Sequence, residues 1–397
     1  MKRTTLAAFL ALSSSAAVSC ATPTTAGTEI TLYSPTKSAL GCLWGTLHSK
    51  SGALFGTAGG CKNGKGGQVF KLTYSGGTWS EKSILKFDVT DGATPEGALV
   101  QDSSGNLYGL AKWGGKYGYG VAFQLSLSGG KWKEKVLYDF GAVSSDPAYP
   151  NREFTIDSGG NLYGTTEEGG SGGLGTVFEL YQSGGVWTET TLYSFIYATG
   201  TPPEASLHRD SVGNLFGTTR GGGAGNCGVV YVVSPVGITW TFQTLYTFTC
   251  GSDGTEPSAD ALIEDSSGVL YGTTALGGTN NVGVAYTLAQ SGSSWTETVI
   301  HNFNGDNGSY PNGLHWGGKK LYGTTDGGGQ KCGCGVVFQL SKSHGTWKAT
   351  TLYEFTGGTD GDGPSAQVIL DDSGNVYGTA LGGGGSGHYG TVWEVIP

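Results

Sequence analysis

Asn161-Leu162-Tyr163-Gly164-Thr165-Thr166 decides the reading of this chain, because it returns. Close copies stand at Asn106-Leu107-Tyr108-Gly109, Asn214-Leu215-Phe216-Gly217-Thr218-Thr219 and Leu270-Tyr271-Gly272-Thr273-Thr274. Leu321-Tyr322-Gly323-Thr324-Thr325 and Val376-Tyr377-Gly378-Thr379 continue the series, and Leu54-Phe55-Gly56-Thr57 opens it. The shared glycines fall at 56, 109, 164, 217, 272, 323 and 378, so the steps run from 51 to 55 residues. Self-similarity at such a period marks an array of one supersecondary unit.

Working outward from the third copy, Phe154-Thr155-Ile156-Asp157 reads as a short strand and Ser158-Gly159-Gly160 as a turn. The phrase itself is a second strand, followed by a Gly-rich loop over 169–175. Thr176-Val177-Phe178-Glu179-Leu180-Tyr181 is a third strand, and Trp187 to Phe195 a fourth after a Ser-Gly-Gly turn. β-Branched and aromatic runs between Gly, Ser and Asp are the sign of consecutive hairpins. No segment carries a capped helical period. The chain is expected to be all-β, a seven-bladed β-propeller of four-stranded antiparallel blades.

The ends say how the ring closes. The last residues, Thr391-Val392-Trp393-Glu394-Val395, match a third strand, so the seventh copy lacks its fourth. Thr28-Glu29-Ile30-Thr31-Leu32-Tyr33-Ser34 matches the fourth strand Thr188-Glu189-Thr190-Thr191-Leu192-Tyr193-Ser194 at six of seven positions. The N-terminal strand is therefore expected to complete the last blade and remove the exposed edges of an open array.

Composition sets the compartment and excludes partners. The chain has 397 residues with 74 Gly, 13% charged and 11% aromatic residues, which argues against disorder. A formal charge of −9 with no basic cluster disfavours nucleic acid. Residues 1–21 read as a signal peptide: Lys2 and Arg3, an apolar run from Leu6 to Leu12, then small residues. Ala16-Ala17-Val18-Ser19-Cys20 also fits a lipoprotein-type cleavage site, with Cys20 as the lipidation point and the one expected link to a membrane. Residues 22–27 form a short linker and 28–397 the propeller. The expected location is extracellular or the cell-envelope surface.

Gly-Asn-Leu-Tyr-Gly-Thr-Thr, the Gly-rich stretch, Gly-Thr-Val-Phe-Glu-Leu and Thr-Leu-Tyr-Ser-Phe together resemble the Gloeobacter/Verrucomicrobia-type tandem repeat of secreted, choice-of-anchor bacterial proteins. The resemblance covers about 28–397. It implies an exported, surface-associated propeller and no particular activity. This chain departs from the pattern in carrying no C-terminal anchor signal, which leaves Cys20 as the expected tether.

In a propeller the Gly-rich loops and the blade-to-blade loops emerge on one face. The latter carry Asp-Gly-x-x-Pro at 91–95, 253–257 and 360–364, with looser versions ending at Pro150, Pro203 and Pro311. Proline suits the start of an inner strand and Gly the turn before it. The geometry pairs Cys42 with Cys61 and Cys227 with Cys250, each closing a loop of about 20 residues and adding on the order of 3 kcal/mol. Cys332 and Cys334 remain for a local disulfide. Asp102, Asp157, Asp210, Asp265 and Asp371 recur before Ser/Gly turns and read as Asx turns, since the alternating oxygen ligands of a calcium loop are missing. Residues 59–66 imitate a phosphate loop but lack its terminal Ser/Thr and its helix. No metal site and no cofactor are expected.

Where copies diverge at the end of the second strand, side chains with chemistry collect: Lys112, Trp113, Glu167, Glu168, Arg220 and Asp326. Nearby loops add Tyr117, Tyr119, His388 and Tyr389. Aromatics mixed with carboxylates suit a binding surface, against a bland reading as loop drift. The regular Trp79, Trp132, Trp187, Trp240, Trp295 and Trp347 read as packing residues. The leading expectation is a non-catalytic binding or adhesion module for polysaccharide or a surface protein. The alternatives are a lyase or glycoside hydrolase using Glu167, Glu168 and Asp326, and a spacer without ligand. Oligomeric state is open.

Overall fold

The computed structural model describes residues 27–35, 43, 45, 47–50, 52–60, 66–258, 260–385 and 388–397. Cys20, Cys42, Cys61 and the 1–21 segment lie outside them.

Seven antiparallel sheets form the blades, strands running in chain order from the channel outward. Blade 3 is typical: Ala148–Ile156, Leu162–Glu168, Thr176–Ser183 and Val186–Ser194. Blade 1 precedes it from His48–Lys50 to Thr78–Lys86, and blade 2 from Val100–Gln101 to Lys131–Asp139. Blade 4 runs from His208–Arg209 to Thr239–Thr247, blade 5 from Thr255–Pro257 to Ser294–Asn302, and blade 6 from Ser309–Gly317 to Thr346–Glu354. Blade 7 begins at Asp362–Pro364 and reaches Thr391–Ile396, and Thr28–Tyr33 pairs antiparallel with that last strand. The N-terminal strand closes the ring.

Each residue of the repeated phrase has a separate task. The glycine faces the aromatic ring of the third strand directly across the ladder, as in Gly164↔Phe178, Gly217↔Tyr231 and Gly378↔Trp393. A Cβ there would sit 2.8, 2.5 and 2.3 Å from those rings, so only hydrogen fits. The first threonine stitches blades together. Its hydroxyl donates to a backbone carbonyl just after the inner-strand proline of the next blade: Thr57 to Gly97, Thr165 to Ala205, Thr218 to Ser258, Thr273 to Asn312, and Thr324 to Ala366. Thr379 makes the same bond to Gly45 at 3.1 Å, which carries the stitch across the closure from blade 7 to blade 1. Blade 2 has Leu110 in that place.

The phrase tyrosine explains the recurring aspartate. Asp157 accepts the Gly159 and Asn161 backbone N–H groups on one oxygen, and the Asn161 amide and Tyr163 hydroxyl on the other. Asp102 and Asp371 are satisfied in the same way. These are Asx turns whose lone pairs are filled by local donors. The outer-strand tryptophans pack across blade boundaries, with Trp132 6.0 Å from Phe55, Trp187 6.2 Å from Tyr108 and Trp240 6.1 Å from Tyr163.

The core is divided into seven apolar clusters, each shared by two successive blades; Leu32 and Val392 of blade 7 pack with Phe70 and Leu72 of blade 1 in the closing one. Burying one such side chain contributes roughly 1.5–3 kcal/mol, so every seam is held by apolar contact as well as by its stitch.

Inner strands differ from the expected bounds. Blade 3's begins at Ala148, before Pro150, whereas in blades 5 and 7 it is split into short pieces such as Thr255–Pro257 and Ile263–Glu264. The proline has no donor for the ladder, and register shifts follow it, as between Asn151 and Thr155.

Cys227 is joined to Cys250 and Cys332 to Cys334. Disulfides of this kind mark an oxidising, extracellular-type environment. No helix of the described residues is long and apolar enough to cross a membrane.

Candidate functional site

The loops from second to third strands and the loops between blades share one face, around the mouth of the channel. Aligning the blades on the inner-strand proline shows three registers that deliver side chains there. The residue before the proline is Thr94, Tyr149, Glu256 and Tyr310 in blades 2, 3, 5 and 6, with left-handed φ of 56°, 57°, 54° and 59°. Non-glycine residues held there cost on the order of 1–3 kcal/mol each. The residue after the proline is Glu96, Asn151, Glu204 and Asn312 in blades 2, 3, 4 and 6. The third register, three beyond the phrase glycine, is Lys112, Glu167, Arg220 and Asp326 in the same blades.

These side chains meet across blades. Lys112 holds Glu167 of the next blade and lies 3.8 Å from Glu96. Arg220 grips Oε2 of Glu256 through Nε at 3.1 Å and Nη2 at 3.0 Å. Asn312 donates to Asp326 at 2.9 Å and to the Pro364 carbonyl at 2.7 Å.

One substitution breaks the ring's symmetry more than any other. Two beyond the proline stand the small residues Gly97, Ala205, Gly313 and Ala366, but blade 3 has Arg152, at φ 52°. Its guanidinium lies 3.8 Å from Asp260 of blade 5, and Asp260 also accepts the Gly313 N–H of blade 6 at 2.8 Å. The Arg152 charge favours the ionised forms of Glu96, Glu153, Glu204 and Asp326 as well, so it stands where blades 2 to 6 converge. Gly97 makes room, since a Cβ there would lie 1.5 Å from the Arg152 carbonyl oxygen.

Acid predominates. Burial raises the pKa of Glu96, Glu204 and Asp326, with Lys112, Arg220 and the Asn312 hydrogen bond, respectively, the main opposing influences. Glu153 is pushed up to about 7, first by burial and then by the charge of Asp260, with Arg152 opposing. Beside this polar mouth lies an aromatic shelf. Tyr149 packs 4.6 Å from Trp113 and 5.3 Å from Tyr119, ring centre to ring centre. Trp113 and Tyr119 are 41% and 40% exposed, so their rings are open to a ligand. Burial raises the Tyr149 pKa, and Glu168 and Glu167 add to it, which ties the shelf to the charged rim.

Of the residues singled out from sequence, Lys112, Trp113, Glu167, Glu168, Arg220 and Asp326 lie at the mouth and Tyr119 on the shelf. Tyr117 turns instead towards Lys116, whose Nζ is 4.9 Å from its ring centre. His388 and Tyr389 belong to a blade 7 loop, with blade 1 between them and the shelf. Glu96, Tyr149, Arg152, Glu153, Glu204, Glu256, Asp260 and Asn312 escaped the sequence reading, although the proline alignment would have exposed them. Among the described residues, no group of His, Cys, Asp and Glu is arranged to hold a metal ion. A cleft of about 1040 Å³ lies elsewhere, at the blade 7–blade 1 seam beside Trp79, Asp371 and Glu394. A 510 Å³ counterpart beside Asp265, Tyr271 and Trp347 shows it to be a recurring inter-blade groove.

A profile of the Gloeobacter/Verrucomicrobia repeat matches residues 43–264 and 239–397. The chain belongs to that family. No curated protein matches this Gloeobacter/Verrucomicrobia repeat protein in sequence. Among solved structures it is similar to a protein from Lactobacillus plantarum, at 13% identity and a TM-score of 0.51 over 78% of this chain and 83% of that one. It is also similar to a puromycin-hydrolysing peptidase of Mycobacterium tuberculosis, at 12% identity and a TM-score of 0.54, covering 89% of this chain and about half (52%) of that one. A provisionally assigned gluconolactonase aligns at 12% identity and a TM-score of 0.40, over 69% of this chain and 83% of that one. At such identities the likeness is one of propeller fold, and it says nothing about chemistry.

Proposed function

We propose that this repeat protein is an exported, non-catalytic binding module whose Gly-rich face takes saccharide chains. The observation that carries the reading is the half-open shelf of Trp113, Tyr149 and Tyr119 at the rim of a polar channel. Sugar rings have an apolar face that stacks on aromatic rings and an edge of hydroxyls that needs donors and acceptors. The shelf offers the first and the carboxylates and amides beside it the second. The rim charges are mostly engaged with one another, an arrangement that presents a fixed polar surface.

Affinity electrophoresis in gels containing soluble polysaccharides tests the reading. The native protein should be retarded in at least one of them, and Trp113→Ala and Tyr149→Ala should each remove most of the retardation. Equal retardation of all three proteins would overturn it. A hydrolase or lyase is favoured only by Glu153, whose pKa of about 7 would suit a proton donor; release of reducing ends from the retained polysaccharide, lost in Glu153→Gln, would establish that reading instead.

Export rests on the basic-apolar-small order of residues 1–21 and on the two disulfides. Lipidation at Cys20 belongs to the same proposal. Mass spectrometry of the mature N-terminus decides between lipidated and free.

A further inference from the structure

The rim is more selective than a general sugar site, and what it lacks defines the ligand. Three cations, Lys112, Arg152 and Arg220, serve carboxylates contributed by five blades, so negative charge is left over. Besides Glu96, 3.8 Å from Lys112, and Glu153, whose burial favours its neutral form, two of those carboxylates stand without a side-chain hydrogen bond among the described residues: Glu168, exposed and close enough to Tyr149 to bias its hydroxyl, and Glu204, half-buried on the neighbouring blade. Neither is held by an ion pair, whereas Glu167 between them is taken by Lys112.

A second observation is independent of charge. Asn151 is 5% exposed, and its Nδ2 has no acceptor. Its register shows where it faces. Asn312, one place after the proline of blade 6, sends the same atom to the acid ending its blade's second strand and to the carbonyl of Pro364 in the next blade. In blade 3 the corresponding acid is Glu167, which is turned to Lys112. Asn151 thus keeps a buried donor unpartnered, two positions along the chain from Tyr149. A buried donor without a partner costs roughly 1–3 kcal/mol unless something supplies the acceptor.

We infer that the site, read as the saccharide site proposed above, is built for sugars bearing a free amino group. An amino sugar answers each feature: its apolar face stacks on Trp113 and Tyr149, a ring or hydroxyl oxygen accepts from Asn151, and its ammonium is placed between Glu168 and Glu204. A cation over the shelf gains from the ring faces too. N-acetylation removes the charge, and acidic sugars bring charge of the wrong sign to a chain of formal charge −9.

Isothermal titration with a glucosamine trisaccharide, its fully N-acetylated form and a neutral glucose trisaccharide tests this at pH 6 and moderate salt. Short oligomers are chosen because an acidic protein attracts any long polycation. The glucosamine trisaccharide should bind at least about tenfold more tightly than the other two, a difference of about 1.4 kcal/mol. The double variant Glu168→Gln/Glu204→Gln should lose that preference while keeping its melting temperature, and Trp113→Ala should lose all three ligands. Equal or tighter binding of the acetylated or glucose form overturns the amine specificity and leaves saccharide binding standing. Glucosamine binding that survives Trp113→Ala also overturns it, as charge attraction away from the shelf. No binding of any trisaccharide, together with no retardation in polysaccharide gels, removes both.

Discussion

The outer strands carry a recurring acid whose environment makes this protein a better folded molecule in mild acid than in mild base. Glu134, Glu189 and Glu297 occupy one register of the fourth strand, and each faces the loop that precedes its blade. There they meet acids: Asp91 and Asp88 for Glu134, Asp146 for Glu189, and Asp253 for Glu297. One carboxylate oxygen of Glu134 and one of Glu297 are buried without a partner. Burial first, and the neighbouring carboxylates second, push all three up to about 7.

The folded pKa is raised above the unfolded value of 4.5. The stability is therefore fully present below about pH 4.5 and is lost as pH rises through about 7. Raising a carboxyl from 4.5 to about 7 corresponds to roughly 3 kcal/mol, and partial exposure reduces this to about 1–2 kcal/mol per site. Urea unfolding of the native protein and of Glu134→Gln at pH 5.5 and pH 8 measures it. Native stability should fall by several kcal/mol between the two. Glu134→Gln should gain about 1–2 kcal/mol at pH 8 and about half of that or less at pH 5.5. A native protein more stable at pH 8, or a variant indifferent to pH in its difference from native, would refute the reasoning. Asp102 and Asp253 set the opposite limb. Local hydrogen bonds outweigh burial and lower their pKa, so their contribution is lost only at lower pH.

Gly378→Ala drives a methyl to 2.3 Å from the Trp393 ring in the closing blade and should cost about 1–3 kcal/mol in urea unfolding. Thr379→Val removes the hydroxyl that joins blade 7 to Gly45 and should lower stability by about 1 kcal/mol, with raised amide exchange at that seam. Replacing Cys227 and Cys250 together by Ser should cost about 3 kcal/mol, read by the same unfolding and checked by non-reducing peptide mapping.

The fold was legible because the constraint behind it acts seven times. Gly164 must be glycine to admit Phe178, Thr165 must reach Ala205 and Tyr163 must reach Asp157, and the same contacts recur in other blades. A single contact leaves no trace in sequence, but a repeated one writes itself as a period. The closing strand was legible for the same reason, since Thr28–Tyr33 keeps the fourth-strand pattern after losing its place in the order. The site was half legible. Lys112, Glu167, Arg220 and Asp326 show because they follow the phrase directly. Tyr149 precedes, and Arg152 and Glu204 follow, a proline whose spacing from the phrase is fixed only once the inner strand and its bulge are known.

Arg152 also explains why the mouth is asymmetric. Every other described seam is closed by the threonine's hydrogen bond to a backbone carbonyl of the next blade, but the seam between blades 2 and 3 has Leu110 in the threonine's place. The inner strand of blade 3 is thus released from the stitch at the place where it takes a left-handed turn and presses its carbonyl against Gly97. Released backbone can carry a residue that the other blades lack at this register, an arginine reaching across the channel to Asp260. Tyr149, the unpartnered Asn151 and the free Glu168 lie on this blade, Trp113 and Tyr119 come from blade 2 across the seam, and Glu204 stands on blade 4. The binding function proposed above falls at the one described seam where the repeat gives up a structural bond, as a ring of copies would be expected to evolve, because six intact seams hold the body while the seventh varies.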